Sequence, residues 1–372
     1  MVILGIDTIL HDICIAIVDE NKVLAQVKKS KSIPSVRNSL LDLTRDHIRE
    51  IGSAIKDALN KAKISLNDIS LVCVNNSGSL LSNVLIGVVA ANVISNVRDI
   101  PIVDVEHQEA HIFSNWIGRD EKEFKYPVLV FSASGGHSLI GLIQKDNLKF
   151  KKIIEMKGVV KDGSKMQPIF IGLGTLFSDI VCWLGLKNSP KRKMGDGNLI
   201  SYLAKRGDSN RFKFVPPFRN NKIDLNFIKI RNNFKRIIDM EAAKKNKLSP
   251  KFIFDLAASF ENSLAKNIID NLCFLSEKYR AKEIHLAGGV SANQTLRKKL
   301  IKKTKPLNIL GRYPKEKFYC VDNAVMIANL GYLKFKRNPD RYIRQRNLRV
   351  KSDLVLENSA ISQFLEKNKE LK

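Results

Sequence analysis

One short pattern occurs twice in this chain, and it constrains the fold more than any other feature. The chain opens with VILGID, a turn at His11 and Asp12, then ICIAIVDE and VLAQVKKS; after the charged linker GRDEKEFK it restarts with VLVFSAS, a glycine turn, SLIGLIQK and FKKIIEMK. Each run is short and rich in β-branched residues, and tight turns separate the runs, so each triplet reads as a strand meander. Helix-period stretches then alternate with buried-type strands. In the first half these are a helix from about 44 to 63, with Ile48, Ile51, Ile55, Ala58 and Leu59 on one face, the strand ISLVCVNN, a helix from about 81 to 97 and the strand PIVDV. In the second half they are a helix from about 250 to 280, the strand EIHLAGG, a helix beginning near Asn293 and another from about 323 to 335. A meander followed by this alternation, twice over, implies two related α/β halves, although no residue-level repeat marks a duplication.

Length agrees, since 372 residues exceed what one ordinary core organises. The expected division is 1–122 for the first half and 123–325 for the second, with an irregular basic surface insertion near 208–233. A helical segment at 326–350 packs back on the first half, and a polar tail fills 351–372. With 44% hydrophobic and 27% charged residues the chain has the composition of a folded protein. Its 63 Lys and Arg against 37 Asp and Glu leave +26, a field that gathers polyanions, nucleic acid first among them; surface lysine with no partner would give the same number. The five cysteines are scattered, with no close pair of the zinc or redox kind, which suits a reducing cytoplasm. The apolar start runs directly into His11 and Asp12 without a basic leader, so it reads as a strand. No stretch approaches the roughly 20 apolar residues a membrane span needs.

Chemistry concentrates at strand ends. PIVDV runs into EHQEAHIFSNWI, which puts His107 and His111 at i and i+4, on one face of a helical turn. Neutral imidazoles so spaced bind transition metals, and a pair of surface histidines is the alternative. A third ligand has to come from elsewhere. Asp322, at the strand-to-helix junction in YCVDNAVMIA, is suited to the role, or else it is a plain helix cap. The SGGHS turn and the AGGVSAN turn end strands in bare glycines. Such turns let backbone amides approach phosphate or carboxylate oxygens, with Asn293 as a polar anchor at a helix start, or they are simply tight turns.

Taken in order, these pieces resemble the tRNA N6-adenosine threonylcarbamoyltransferase family, part of the wider group with the duplicated actin and sugar-kinase fold. LGIDT resembles the family's LGIET, TRDH at 44–47 its SRAH, and VEHQEAHIFS its VNHLEGHIYA. SGGHS resembles SGGHT, LAASF resembles IAASF, LAGGVSANQTLR resembles LAGGVAANSRLR, and CVDNAVMIA resembles CTDNAAMIA. The resemblance implies an α/β, duplicated actin/RNase H-like fold: two mixed-sheet subdomains flanked by helices, with the active site in the cleft between them. It implies one divalent metal per subunit, iron or zinc, on His107, His111 and Asp322, with Asp7, Asp12 and His137 as supporting residues. It places a threonylcarbamoyl-AMP donor against Ser132, Ala133, Ser134, Gly135, Gly136, Ser178, Asp179, Gly195, Gly197 and Asn293. The acceptor it implies is N6 of the adenosine beside the anticodon of tRNA. It also implies protein partners of the same pathway, one of them docking on the amino-terminal helices, where Ile51, Ile55, Leu59, Val84 and Val88 form either that apolar contact or an ordinary intramolecular core.

Several motifs depart from the family pattern. GEAFDK becomes Gly174 to Asp179, with Ser178 where the ribose-binding Asp is expected and Asp179 one place on. YPGGP becomes NSPKRKMGDGN, ETSCDDT becomes DTILHDI, and SGLKT has no counterpart. Two further readings follow from these changes. KRKMGDGN also resembles a stretch of O-carbamoyltransferases acting on small-molecule hydroxyls, and the altered donor motifs suit a catalytically weakened RNA- or partner-binding paralogue.

Overall fold

The computed structural model describes residues 1–9, 11–20, 22–30, 39–134, 137–145, 149–157, 172–186, 195–214, 223, 225, 227–244 and 247–351. Two compact units result: Met1–Asp120 with the chain from Lys315 onward, and Glu121–Pro314. The return to the first unit therefore comes at Lys315, ahead of residue 326 where the sequence reading places it, and it carries Asp322 into the first unit.

That unit is built on β1 (Val2–Thr8), β2 (Asp12–Asp19), β3 (Lys22–Ser30), α1 (Ser39–Ala62), β4 (Leu71–Ser77), α2 (Leu81–Arg98), β5 (Ile102–Glu106) and α3 (His107–Ile112). Its strand order is β3-β2-β1-β4-β5; the meander β1–β2–β3 is antiparallel, and β4 and β5 run parallel to β1. Strand side chains alternate between faces. Leu4 and Ile6 of β1 and Val72 and Val74 of β4 join a core with Ala54 and Ala58 of α1 and Val84, Val88 and Ala91 of α2. The opposite face carries the helix that returns from the end of the chain.

The second unit repeats the plan with β6 (Val128–Ser134), β7 (His137–Ile143), β8 (Phe150–Lys157), α4 (Leu173–Trp183), α5 (Asp196–Ala204), α6 (Ile228–Ala242), α7 (Pro250–Lys278), β9 (Glu283–Ala287), α8 (Gln294–Thr304) and β10 (Leu310–Arg312). Its order, β8-β7-β6-β9-β10, has the same antiparallel meander and the same two parallel strands. The duplicated actin-like α/β fold expected from the sequence is present in both sheets. After Lys315 the chain forms α9 (Ala324–Arg337) and α10 (Pro339–Ile343). Gly5 lets α9 lie against β1, because a Cβ there would sit 2.4 Å from the Ala324 carbonyl oxygen. This contact fixes the start of α9, and with it Asp322, against the sheet whose strand β5 leads into the histidine helix α3.

Two expectations change. The segment near 208–233 is not a surface insertion throughout: Phe214, Leu225, Phe227 and Ile230 are buried with Phe234 and Phe260 in the second core, and α6 begins within it. Apolar spacing of aromatics rather than net charge decides where such a segment packs. Finally, α2 is long and apolar enough to cross a bilayer by length and composition alone. It buries Val84, Val88 and Ala91 in the first core and leaves Leu81, Leu85, Val89, Val93 and Val97 exposed at four-residue spacing.

Candidate metal centre

The histidine pair is set by the end of β5. Glu106 caps α3, its carboxylate accepting the Gln108 and Glu109 amides at 3.0 and 2.6 Å. The helix thus starts at His107, and His111 follows one turn later on the same face. Their ring centroids lie 4.8 Å apart at 87°. Both residues are buried, so neither is surface decoration.

Asp322 meets them from the start of α9. The capping role that the sequence left open for it belongs to its neighbour: Asn323 Oδ1 accepts the Met326 amide at 3.0 Å. The Asp322 carboxylate turns inward instead, with Oδ1 2.9 Å from His111 Nε2 and 3.4 Å from His107 Nε2. One nitrogen from each histidine and one Asp322 oxygen all lie within 4.8 Å of one another. Behind His107, Nδ1 faces the Asp7 carboxylate at 3.2 Å, and Asn75 Nδ2 donates to Asp7 at 3.0 Å. A carboxylate on the far nitrogen of a ligand histidine fixes its tautomer and ring orientation.

The site is strongly negative for its burial. Burial opposes charge on His107, yet Asp7 and Asp322 outweigh it and lift the ring well above the usual histidine range. Burial likewise opposes ionisation of Asp322, and its hydrogen bonds to both histidines hold it far below the ordinary carboxylate range. Cys14, beside them, is pushed up by burial and then by Asp7, so its thiol keeps its proton. With both ring nitrogens of His107 aimed at carboxylates, the cluster is satisfied either by added protons or by a cation taking the same inward nitrogens and oxygen. The donor set, two imidazoles and a carboxylate, suits a first-row divalent ion.

The donor-side residues fall in the second unit. Ser132 and Ala133 are buried at the end of β6, and Ser134 and His137 pair across the β6–β7 turn. Gly135 and Gly136 lie outside the described residues. Ser178 on α4 donates to Asp196 at 2.5 Å, whereas Asp179 is held by Arg231 at 2.7 Å, whose guanidinium stacks on Trp183. Gly195 caps α5 and Gly197 sits in its first turn, both with ordinary backbone angles and open space at the Cβ position. Asn293 caps α8, accepting the Leu296 amide at 2.8 Å, and its Nδ2 donates to Glu261 at 2.6 Å and to Ser201 at 3.2 Å. Thr295 also donates to Glu261, at 2.6 Å. Gly288, at φ 72 and ψ 177, is the one position in the AGGVSAN turn that needs glycine. Side chains rarely adopt that region, and a Cβ would sit 2.5 Å from the Ala133 carbonyl oxygen.

Three residues of these networks were not legible as such. Asp196 and Glu261 each had a signal, the first at the start of the helix after Gly195 and the second directly after LAASF. Asn75 had none, because it acts through a neighbouring strand.

The sequence pattern of the tRNA N6-adenosine threonylcarbamoyltransferase family matches residues 41–329. Curated relatives under that name come from Thermodesulfovibrio yellowstonii, 28% identical over 90% of this chain and 95% of theirs, and Thermosipho africanus, 29% identical over 91% and 95%. A third, from Mesoplasma florum, is 28% identical over 90% of this chain and 99% of its own. Among solved structures the fold is similar to HypF from T. kodakarensis, with a TM-score of 0.54 and 16% identity, covering 91% of this chain and 48% of that one. A family match across most of the chain, on a duplicated actin-like fold, means that this protein belongs to the tRNA N6-adenosine threonylcarbamoyltransferase family.

Proposed function

We propose that this chain transfers the threonylcarbamoyl group of threonylcarbamoyl-AMP to N6 of the adenosine beside the anticodon of tRNA. The same reading has His107, His111 and Asp322 holding one divalent cation, iron or zinc. The observation that carries it is the convergence of three ligand atoms from two distant parts of the chain within 4.8 Å, backed by the buried Asp7. When bound, such a cation supplies Lewis acidity and a fixed point for orienting the donor. The protein's own residues do the rest. Asp7 keeps the proton of His107 on Nδ1 and leaves Nε2 facing Asp322.

On the donor side, Glu261 and Ser201 fix the amide of Asn293 at the start of α8, where helix-end amides suit a phosphate. Because Asp179 is paired with Arg231, Asp196, bonded by Ser178, is the better carboxylate for the donor ribose. The charge of +26 suits a tRNA acceptor. Five free cysteines suit a reducing compartment, the cytoplasm. For a protein partner of the pathway, the exposed α2 stripe from Leu81 to Val97 replaces the residues expected from the sequence, since Val84 and Val88 are buried in the core.

Depletion of the protein followed by mass spectrometry of tRNA nucleosides tests the reading. Loss of threonylcarbamoyladenosine, restored by the wild-type chain, is the expected result. Unchanged levels would reject the tRNA acceptor and favour carbamoyl transfer to a small hydroxyl compound.

A further inference from the structure

Lys28 was not singled out by the sequence, and its surroundings give it a role. It lies on β3, the edge strand of the first sheet, in a polar row that crosses three strands: Lys28 pairs with Cys14 of β2, and Cys14 pairs with Asp7 of β1. Its Nζ sits 2.7 Å from Asp12 Oδ2 and donates to the main-chain oxygen of Asp322 at 3.3 Å. The Cys14 thiol approaches the same oxygen at 3.8 Å. Asp322 is 211 residues from His111 in sequence and, of the three proposed ligands, is the one outside α3, with its side chain 36% exposed while the His111 side chain is fully buried. Of the three proposed ligands it is the one whose position most needs outside support.

We infer that Lys28 is a positioning residue of the metal centre, clamping the Asp322 segment to the sheet through Asp12. This inference rests on the metal-site reading above.

A second role for the same ammonium group has the opposite sign. As a bare positive charge near a cation site, Lys28 would weaken metal binding, and removing it would tighten the site. Geometry decides between the two. The ammonium is in direct contact with the buried Asp12 carboxylate, so the pair presents little net charge to the cation, while its remaining hydrogen bond goes to the Asp322 backbone and not to the ligand carboxylate. The mechanical effect therefore prevails. A formal count agrees: Asp7, Asp12 and Asp322 against Lys28 leave a charge of two minus, which one divalent cation balances.

The test uses the full chain stripped of metal and titrated with cobalt(II) chloride, reading visible ligand-field absorption and chelator competition. For Lys28→Met, cobalt affinity falls about tenfold, the lower end of what loss of a metal-site support costs, and the ligand-field bands shift. Lys28→Arg, which keeps charge and reach, restores both. Asp12→Asn removes the other half of the clamp and gives the same spectral shift, and the melting temperature of each metal-free variant shows that it is folded. Wild-type spectrum and equal or tighter affinity in Lys28→Met would overturn the inference while leaving the metal site standing. A wild-type chain that takes up no cobalt would overturn both.

Discussion

Replacing Asp7 with Asn isolates the support behind His107, because the change preserves shape and removes one charge. Asp7 is fully buried, with a carboxylate oxygen 3.2 Å from His107 Nδ1. A cation on Nε2 would lie about 7 Å from it, and at an effective dielectric of about 20 the attraction between a carboxylate and a divalent ion is about 5 kcal/mol. That figure is an upper bound for binding. Asp7 also raises the proton affinity of His107, so the proton the cation must displace is weakened by the same substitution. A second effect works against the variant. Asn75 Nδ2 and His107 Nδ1 both meet Asp7 Oδ1, at 3.0 and 3.3 Å, so Asn at position 7 with its oxygen there leaves His107 only a neutral, weaker acceptor to hold its Nδ1 proton. The net expectation is a loss of about 10–100-fold in metal affinity, or about 1.4–2.7 kcal/mol, with the fold intact. Chelator competition with zinc near neutral pH measures it. An Asp7→Asn protein that binds zinc within about twofold of wild type would refute the idea that Asp7 orients the ligand.

Other perturbations separate the two halves of the account. Glu261→Gln replaces the acceptor of three hydrogen bonds with an amide that must also donate, so Asn293 loses its fixed orientation. AMP binding by calorimetry should weaken about tenfold while metal content stays unchanged, and unaltered AMP affinity would remove Asn293 from the donor site. Gly288→Ala places a side chain in a glycine-only region against the Ala133 backbone, and thermal unfolding should show a loss of about 3 kcal/mol. Glu283, buried in β9, resists ionisation through burial, but His285 and Arg312 overcome this and hold its carboxyl below the usual glutamate range. A depressed carboxylate contributes stability that is present above its unfolded pKa and lost as pH falls through the folded one. Urea unfolding should therefore find Glu283→Gln less stable than wild type by about 3 kcal/mol at neutral pH, with the gap closing once the pH drops below about 4.3. A gap that persists in acid would assign the loss to packing.

Much of this was readable in advance because strand periodicity is local. The two meanders, α2, β5 and α7 follow from runs of β-branched or helix-period residues that any short window reveals. His107 and His111 were legible for the same reason, being one turn apart on one element. Asp322 was harder: its neighbour Asn323 shares the junction, and only tertiary contact shows that Asn323 caps the helix while Asp322 faces the imidazoles. Lys28 and Asn75 act through cross-strand neighbours, Asn75 on β4 reaching Asp7 on β1, and no spacing in sequence encodes that register. The segment near 208–233 was misjudged because its basic residues hide the aromatic anchors Phe214 and Phe227.

The central claim is that the His107–His111–Asp322 cluster is the working centre of a tRNA threonylcarbamoyl transfer. Purified wild-type protein and His111→Ala can be compared directly, each assayed for bound metal and for threonylcarbamoyladenosine formed on unmodified tRNA supplied with threonylcarbamoyl-AMP and the pathway's partner proteins. The account predicts about one metal ion per wild-type chain and modified tRNA, with both lost together in His111→Ala although the variant remains folded. Modification that persists in a metal-free His111→Ala protein would contradict it.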